Sequence, residues 1–520
     1  MAILCLMGGC GGAGGASKAL APATDLGPTI GSLAAVVTPE SIALEGYGLV
    51  GGLRGTGSVE CPPQIRAYLV RYIPTQLPER GLDVDKLIRS QDTAVVRIEA
   101  VIQTTWSKAR HFDVRITALP GTQTTSLEHG WLYRAELKAR GTFGMATKVL
   151  ADAQGPIFID KINAGAAEKK VGYVLAGGQV LDEHKINLEL QGQNYRLTSR
   201  VRNRLNERFG YGTARAASSA RVELTVPAKY KGHEQRFIAI VRATYLDQTP
   251  QITNERVMAF VRELAVSQDK QASETALEAI GNEAVAKLTV LLSSSDEQVR
   301  FRAARCMLHL GSERGLDVLS QIAMDRASAY RLEALQAIAD AAQRAEAAAI
   351  ARRLLLDPDF EVRLAAYEQL RNLGDVGVTR ELIGRNFFLE QVAQGREKVV
   401  FASRNDQPRI VLFGAPIVCG DNIFVQSADG DIIVNAPGGQ GYVSLIRKHP
   451  KRPGVTVQLR SSFDLADVIR TLCDEPLGKD EEAPRGLGVS YADVMALLKQ
   501  MCDRHAIQAE FHPGPLPKIG

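Results

Sequence analysis

Two kinds of periodicity divide this chain. Apolar and polar positions alternate over residues 93–102 and 111–119; in the second run Phe112, Val114, Ile116 and Ala118 face one side, Asp113, Arg115 and Thr117 the other. A period of two marks half-buried strands. Residues 221–227 and 236–244 read the same way, so the stretch 25–268 is strand-rich and mixed. Within it, residues 194–209 change to a helical period, with Leu197, Val201 and Leu205 at four-residue spacing. Asn194 is placed to cap that helix and Gly210 to stop it.

From 272 to 378 the pattern is Ala/Leu/Glu/Arg-rich, without strand signal, and it repeats. Val299-Arg-Phe-Arg-Ala-Ala304 recurs as Tyr330-Arg-Leu-Glu-Ala-Leu335 and as Val362-Arg-Leu-Ala-Ala-Tyr367, at offsets of 31 and 32 residues. Acidic turns at Asp296, Asp325 and Asp359 open the blocks, and two of them end in Leu-Gly at Gly311 and Gly374. Paired helices at a period of ~30–45 residues make an α-solenoid, and these resemble HEAT repeats. Small alanines let neighbouring helices approach closely. Such a stack is either a protein-binding surface or a spacer with a solvated charged face, and about three repeats need a neighbouring domain to pack against.

Strand signals return over 380–520. Residues 409–417, 422–427 and 431–435 alternate or run apolar, with Ala428-Asp429-Gly430 as a hairpin turn. A turn at 437–441 separates them from 442–446 and 455–459. Two helices follow: 463–473, with Leu465, Val468, Ile469 and Leu472 on one face, and one capped by Ser490 with Asp493 at its third position. The fold class read from these patterns is α+β, with strand-rich mixed domains at both ends and an all-α solenoid between them.

Six of the thirteen residues from Gly46 to Ser58 are glycine, with Leu49, Val50 and Leu53 between them. That density reads as an ordered, partly buried turn, since glycine is costly to fix without a conformational reason. Gly46-x-Gly48-x-x-Gly51 formally satisfies a dinucleotide fingerprint, but no helix opens on it and no Lys-Ser or Lys-Thr follows. Nucleotide binding is therefore rejected, and the run is structural or interfacial.

The run carrying Gly46, Tyr47, Gly48, Gly51, Gly52, Gly55 and Gly57 resembles the segment near the mature N-terminus of bacterial flagellar P-ring proteins. The resemblance extends over about 40–262, through the strand-turn-helix from Ile186 to Gly210 and the strand Val222-Glu-Leu-Thr-Val-Pro227. It returns in Asp464-Leu-Ala-Asp-Val-Ile-Arg-Thr-Leu472, Leu487-Gly-Val-Ser-Tyr-Ala-Asp-Val-Met-Ala-Leu-Leu498 and His505-Ala-Ile-Gln-Ala-Glu510. An acidic stretch, 474–485, separates the two closing helices, and the solenoid interrupts the family pattern in mid-chain. The resemblance implies a structural subunit of a homo-oligomeric periplasmic ring. Its neighbours would be the flagellar rod, outer-membrane ring proteins and peptidoglycan, with a further protein partner on the repeats. The alternative is an envelope-anchored adaptor that recruits a partner through the repeats and has no flagellar role.

Composition sharpens this only at the margins. The net charge of +4, from 62 basic and 58 acidic residues, makes no case for nucleic acid. Residues 1–24 run from an apolar stretch through Cys10 into Gly/Ala/Ser, which resembles the end of a lipoprotein export signal with Cys10 lipidated; a plain Gly-rich tail is the other reading. Gly11 after that cysteine would leave the protein free to reach the outer membrane. Among seven cysteines no Cys-x-x-Cys occurs; Cys473 and Cys502 are the disulfide candidates, with buried free thiols the alternative. Cys502, His505 and His512 fit no common zinc spacing. No catalytic constellation stands out, and no enzyme activity or cofactor is expected. Arg196, Arg200, Arg202, Arg204 and Arg208 on one helix make either a solvated face or an ion-pairing surface.

Overall fold

The computed structural model describes residues 26–37, 40–76, 83–142, 147–162, 169–182, 185–449, 452–475 and 486–519; Cys10 and the signal-like stretch lie outside them. After a one-turn helix α1 (Ile30–Leu33) and a short strand β1 (Ala34–Val36) comes the long strand β2 (Ser41–Gly51). Helices α2 (Pro63–Gln76) and α3 (Val84–Ile88) follow, then β3 (Thr93–Gln103), β4 (His111–Ala118), β5 (Trp131–Ala139), β6 (Ala151–Pro156) and β7 (Val171–Val180). Six of these strands close a barrel in the order β2-β3-β4-β7-β6-β5.

The alternation at 93–102 and 111–119 is thus that of barrel walls. Val96, Ile98, Val114, Ile116, Leu132, Leu137 and Val174 fill the interior. On the outside Leu49 and Val95 pack under Tyr68, Leu69, Tyr72 and Ile88 of α2 and α3, so the start of β3 is apolar on both faces.

The next layer holds β8 (Ile186–Leu190), α4 (Tyr195–Phe209), β9 (Ala214–Ala216), β10 (Arg221–Leu224) and α5 (Glu234–Ala243). The strands form a sheet in the order β1-β8-β10-β9. Asn194 caps α4 by accepting from the Leu197 N–H, and Gly210 ends it at φ 103°. Residues 236–244, read as a strand, are helix α5. Phe237, Ile240 and Val241 fit an i, i+3, i+4 stripe as well as a strand, and burial against Leu188, Val222 and Val201 selects the helix.

The helical stack comprises α6 (Pro250–Val266), α7 (Lys270–Ile280), α8 (Val285–Leu288), α9 (Glu297–His309), α10 (Glu313–Met324), α11 (Arg331–Ala341), α12 (Arg344–Leu354) and α13 (Phe360–Asn372). The three recurring motifs open α9, α11 and α13. Asp296 and Asp359 cap the first and last of these. Asp325 ends α10 instead, and α11 has no side-chain cap. Helix α6 belongs to this stack by packing: Val257 and Leu264 share a core with Leu277, Leu288, Ala303 and Met307.

The C-terminal lobe contains β11 (Val378–Ile383), β12 (Phe387–Val392), β13 (Val399–Ala402), β14 (Arg409–Phe413), β15 (Ile423–Gln426), β16 (Ile432–Ala436), β17 (Val443–His449), β18 (Arg452–Ser461), α14 (Leu465–Cys473), α15 (Tyr491–Asp503) and β19 (Glu510–Pro513). They make a mixed sheet, β11-β12-β14-β13-β19, and an antiparallel sheet, β15-β16-β17-β18. In the mixed sheet Leu389, Val400, Ile410 and Leu412 face α14 and α15, while Val392, Val399, Phe401, Val411 and Phe413 face the helical stack. A sheet covered on both sides reads as continuous apolar runs. Among the described residues no helix is long and apolar enough to cross a membrane.

Candidate functional site at the glycine-rich barrel seam

The glycine run is not a turn over its first half: it is β2, the strand that closes the barrel. β2 bonds to β3 along its whole length and to β5 on its other side, with an irregularity between Glu45 and Val50. Glycine weakens strands, so a packing reason is needed, and the seam supplies it. A Cβ on Gly46 would lie 2.4 Å from the Glu136 carbonyl oxygen, and one on Gly51 2.8 Å from the Tyr133 ring. β5 can approach only because these side chains are missing.

Beyond β2 the run becomes a turn in which Gly52, Arg54 and Gly55 all have positive φ. The Leu53 N–H donates to the Asp92 carbonyl, Gly57 to Gln91 and Ser58 to Thr93. This stitches the turn to the start of β3 and carries Arg54 into a cleft shared with Glu128, His129, Lys161, Arg447 and Ser490.

That cleft is the joint between the barrel and the C-terminal lobe. The Lys161 ammonium donates to Asp493 Oδ1 at 2.5 Å and also contacts the Glu128 carboxylate. Asp493 is held by its own helix start: its N–H donates to Ser490 Oγ, and the Ser490 hydroxyl donates to Asp493 Oδ2 at 2.6 Å. Burial would lower the Lys161 pKa, but Asp493 and Glu128 outweigh it and hold it above the ordinary lysine value. His129 beside them is pushed down by burial. The joint is reinforced by Arg404 on Asp160 at 2.8 Å, by the Asp406 N–H donating to Asp113, and by Phe158 against Tyr491 at 6.0 Å.

The helical stack is pinned at both ends. At its start the buried Glu274 of α7 receives Arg302 and Arg305 of α9, and Arg236 of α5 reaches both Glu274 and Glu278. At its end Tyr367 of α13 donates to the buried Glu390 of β12, which Arg371 also contacts at 3.0 Å. The repeats therefore link the N-terminal layers to the C-terminal lobe, and the lobe folds back onto the barrel.

The predicted arginine face splits. Arg204 is buried, donating to the Tyr245 carbonyl and to Glu207, and Arg208 donates to the Glu278 carbonyl of the stack. Arg200 pairs with Asp247, Arg202 bonds Asn203, and Arg196 is exposed. Cys473 and Cys502 are buried in one core, but the structure leaves both as free thiols, with burial pushing Cys502 up to about 12. His512 packs on Phe360 at 4.1 Å and lies 3.2 Å from Glu510. No group of three His, Cys, Asp or Glu that could hold a metal occurs among the described residues. The sequence reading missed Lys161, Glu128, Glu274 and Glu390. The Ser490–Asp493 capping pair was its one signal at the joint, and it names a carboxylate without its partner.

These geometries describe a body braced by buried ion pairs at its joints. The sequence model described as flagellar P-ring protein matches residues 29–268, and that of HEAT repeats matches 258–339. A flagellar P-ring protein of Anaeromyxobacter dehalogenans is 31% identical over 224 residues, 40% of this chain and 57% of that one. One from Oleidesulfovibrio alaskensis is 28% identical over 206 residues, 36% of this chain and 53% of its own length. One from Albidiferax ferrireducens is 28% identical over 290 residues, 51% and 71%. The chain thus spans little more than half the length of the first two relatives. Among solved structures, a chain of a phycocyanin lyase complex from Nostoc sp. PCC7120 aligns with a TM-score of 0.20 and 19% identity. It covers 25% of this chain and 81% of that one. Residues 29–268, the barrel and the sheet beside it, match the flagellar P-ring protein family, and the chain runs on from them into HEAT repeats.

Proposed function

We propose that this chain is a structural subunit of a periplasmic ring resembling the flagellar P-ring, in which copies close head to tail around the rod and act as its bearing. The observation that carries this reading is the family match over the barrel and its neighbouring sheet. A bearing needs a protomer that does not flex, and the joints at Lys161–Asp493, Glu274–Arg305 and Glu390–Arg371 brace this one. Closure into a ring needs two different, complementary edges on each copy. The rod and the outer-membrane ring proteins are its proposed neighbours. Peptidoglycan is a proposed contact for the outward arginines Arg196, Arg200 and Arg202. Lipidation of Cys10, with anchoring at the outer membrane, completes the reading.

Cryo-electron tomography of flagellar motors with and without the gene tests it. Loss of the disc at the peptidoglycan layer is the expected result, and an intact disc overturns the bearing role. The adaptor reading draws on the helical stack, where Leu332, Leu356 and Val376 stay exposed. It expects a monomer that captures one protein partner through 272–378.

A further inference from the structure

We propose that the antiparallel sheet of the C-terminal lobe continues from copy to copy, the free edge of β18 in one copy pairing with the free edge of β15 in the next. The inference rests on the ring reading and names its contact. In the order β15-β16-β17-β18, β15 and β18 are the two edges, and no backbone partner beyond the sheet is found for 423–426 or 454–460 among the described residues. Exposed edges of this kind pair with other chains unless they are blunted.

The two edges are complementary in direction. All three pairings within the sheet are antiparallel, so with four strands β15 and β18 run opposite ways. A second copy in the same orientation therefore sets its β15 antiparallel to β18 of the first.

They are complementary in hydrogen bonding too. Bonded and non-bonded positions alternate in an antiparallel pair. The Ser427 N–H donates to the Ile432 carbonyl, so Ile423 and Val425 turn their backbone groups to β16, while Phe424 and Gln426 turn theirs to the free edge. The Lys448 N–H donating to the Asp431 carbonyl fixes the next strand, and the alternation leaves Thr456, Gln458 and Arg460 with the outward groups of β18.

The side chains agree with that register. Phe424 lies in one row with Asn435, Ser444 and Arg460, on the face away from the core. Pairing Phe424 with Gln458 keeps outward residues opposite outward ones. It sets Ile423 against Leu459 and Val425 against Val457, extending the apolar layer that these residues already flank. It also brings Arg460 beside Asn422 and Asp421, a basic residue against an acidic one at the strand end. Phe424, 59% exposed on an edge strand, would then be covered.

The test is an inter-copy cross-link in the full-length protein. A bonded antiparallel pair stands ~5.5 Å apart at Cα, within disulfide reach, so F424C/Q458C under mild oxidation should give a ladder of covalent multimers that neither single variant gives. Thr456→Pro removes an edge-directed N–H without touching the backbone bonds to β17. It should leave thermal unfolding unchanged while weakening assembly at least tenfold. Rings visible by negative-stain microscopy without the cross-link would overturn this contact and leave the ring reading standing. A monomer without cross-link would overturn both, and cross-linked open filaments would uphold the contact against ring closure.

Discussion

Arg305 grips Glu274 with both arms of its guanidinium, Nε to Oε1 at 2.6 Å and Nη2 to Oε2 at 2.5 Å. Arg302 donates to the same carboxylate at 2.9 Å, and Arg236 arrives from α5. One buried carboxylate thus ties the sheet layer to the first repeats. Burial alone would raise its pKa, but the bonds and charges of Arg305, with Arg236 and Arg302, outweigh this and hold it below the ordinary value.

Glu274→Ala would leave Arg302 and Arg305 without their counter-charge, and Arg236 with Glu278 alone. Breaking a buried pair from one side costs about 3–5 kcal/mol. The helical stack of the variant should therefore unfold ahead of the barrel, as a separate early transition in calorimetry. A single unshifted transition would mean that the network is not what holds the layers together.

His309 gives this region its acid limit. It is buried at the end of α9, and burial together with Arg236, Lys229 and Arg305 depresses its pKa to about 2. The unfolded chain takes up the proton near pH 6.5 and the folded one does not, so stability is full above that pH and falls as pH drops below it. Between pH 7 and 5 the loss is about 2 kcal/mol for one such histidine. Denaturant unfolding at the two pH values should show it, and His309→Gln should flatten the difference.

Lys161 is the corresponding link at the joint between barrel and lobe, 332 residues from its partner Asp493 in sequence. Lys161→Met keeps the aliphatic stem but strands the buried Asp493, while Glu128 keeps Lys169 at 3.7 Å, at a cost of about 3 kcal/mol. Hydrogen exchange should then speed up around 158–162 and 488–498 together, while the helical stack is unchanged. Adding Asp493→Asn should recover part of the loss.

What could be read from the sequence follows from how local each cause is. The cap of α4 at Asn194, the stop at Gly210 and the Ser490–Asp493 start of α15 are decided within a few residues, and the sequence reading found each. Strands β3 and β4 showed because one set of their side chains faces the barrel interior at strict alternation. Helix α5 was mistaken for a strand because Phe237, Ile240 and Val241 satisfy both periods and only the sheet beneath them decides. The glycine run reads as a turn because propensity argues against a strand there, and the close approach of β5 that overrides it lies some 85 residues away. Strands β11, β12 and β13 were not read at all. The carboxylates that brace the molecule, Glu274 and Glu390, look like surface residues until their arginines arrive from other elements.

Two glycines of the run separate close packing from backbone strain. Gly55 sits at φ 87° with nothing within 4 Å of where a Cβ would lie, whereas a Cβ on Gly57 would fall 2.0 Å from the Thr93 carbonyl oxygen. Gly55→Ala therefore meets only the left-handed penalty, ~1–2 kcal/mol. It should lower the melting temperature by a few degrees and leave assembly intact. Gly57→Ala cannot be accommodated by moving a flexible side chain, because the atom it strikes is backbone at the start of β3. That shift must break the bond from the Ser58 N–H to the same carbonyl, and the cost should exceed ~3 kcal/mol. The turn would then come away from the start of β3, which protease cutting after Arg54 should report within minutes in Gly57→Ala and not in Gly55→Ala. Equal behaviour of the two variants would mean that the run is held in shape by its turn alone, and that the close approach of its neighbours does not matter.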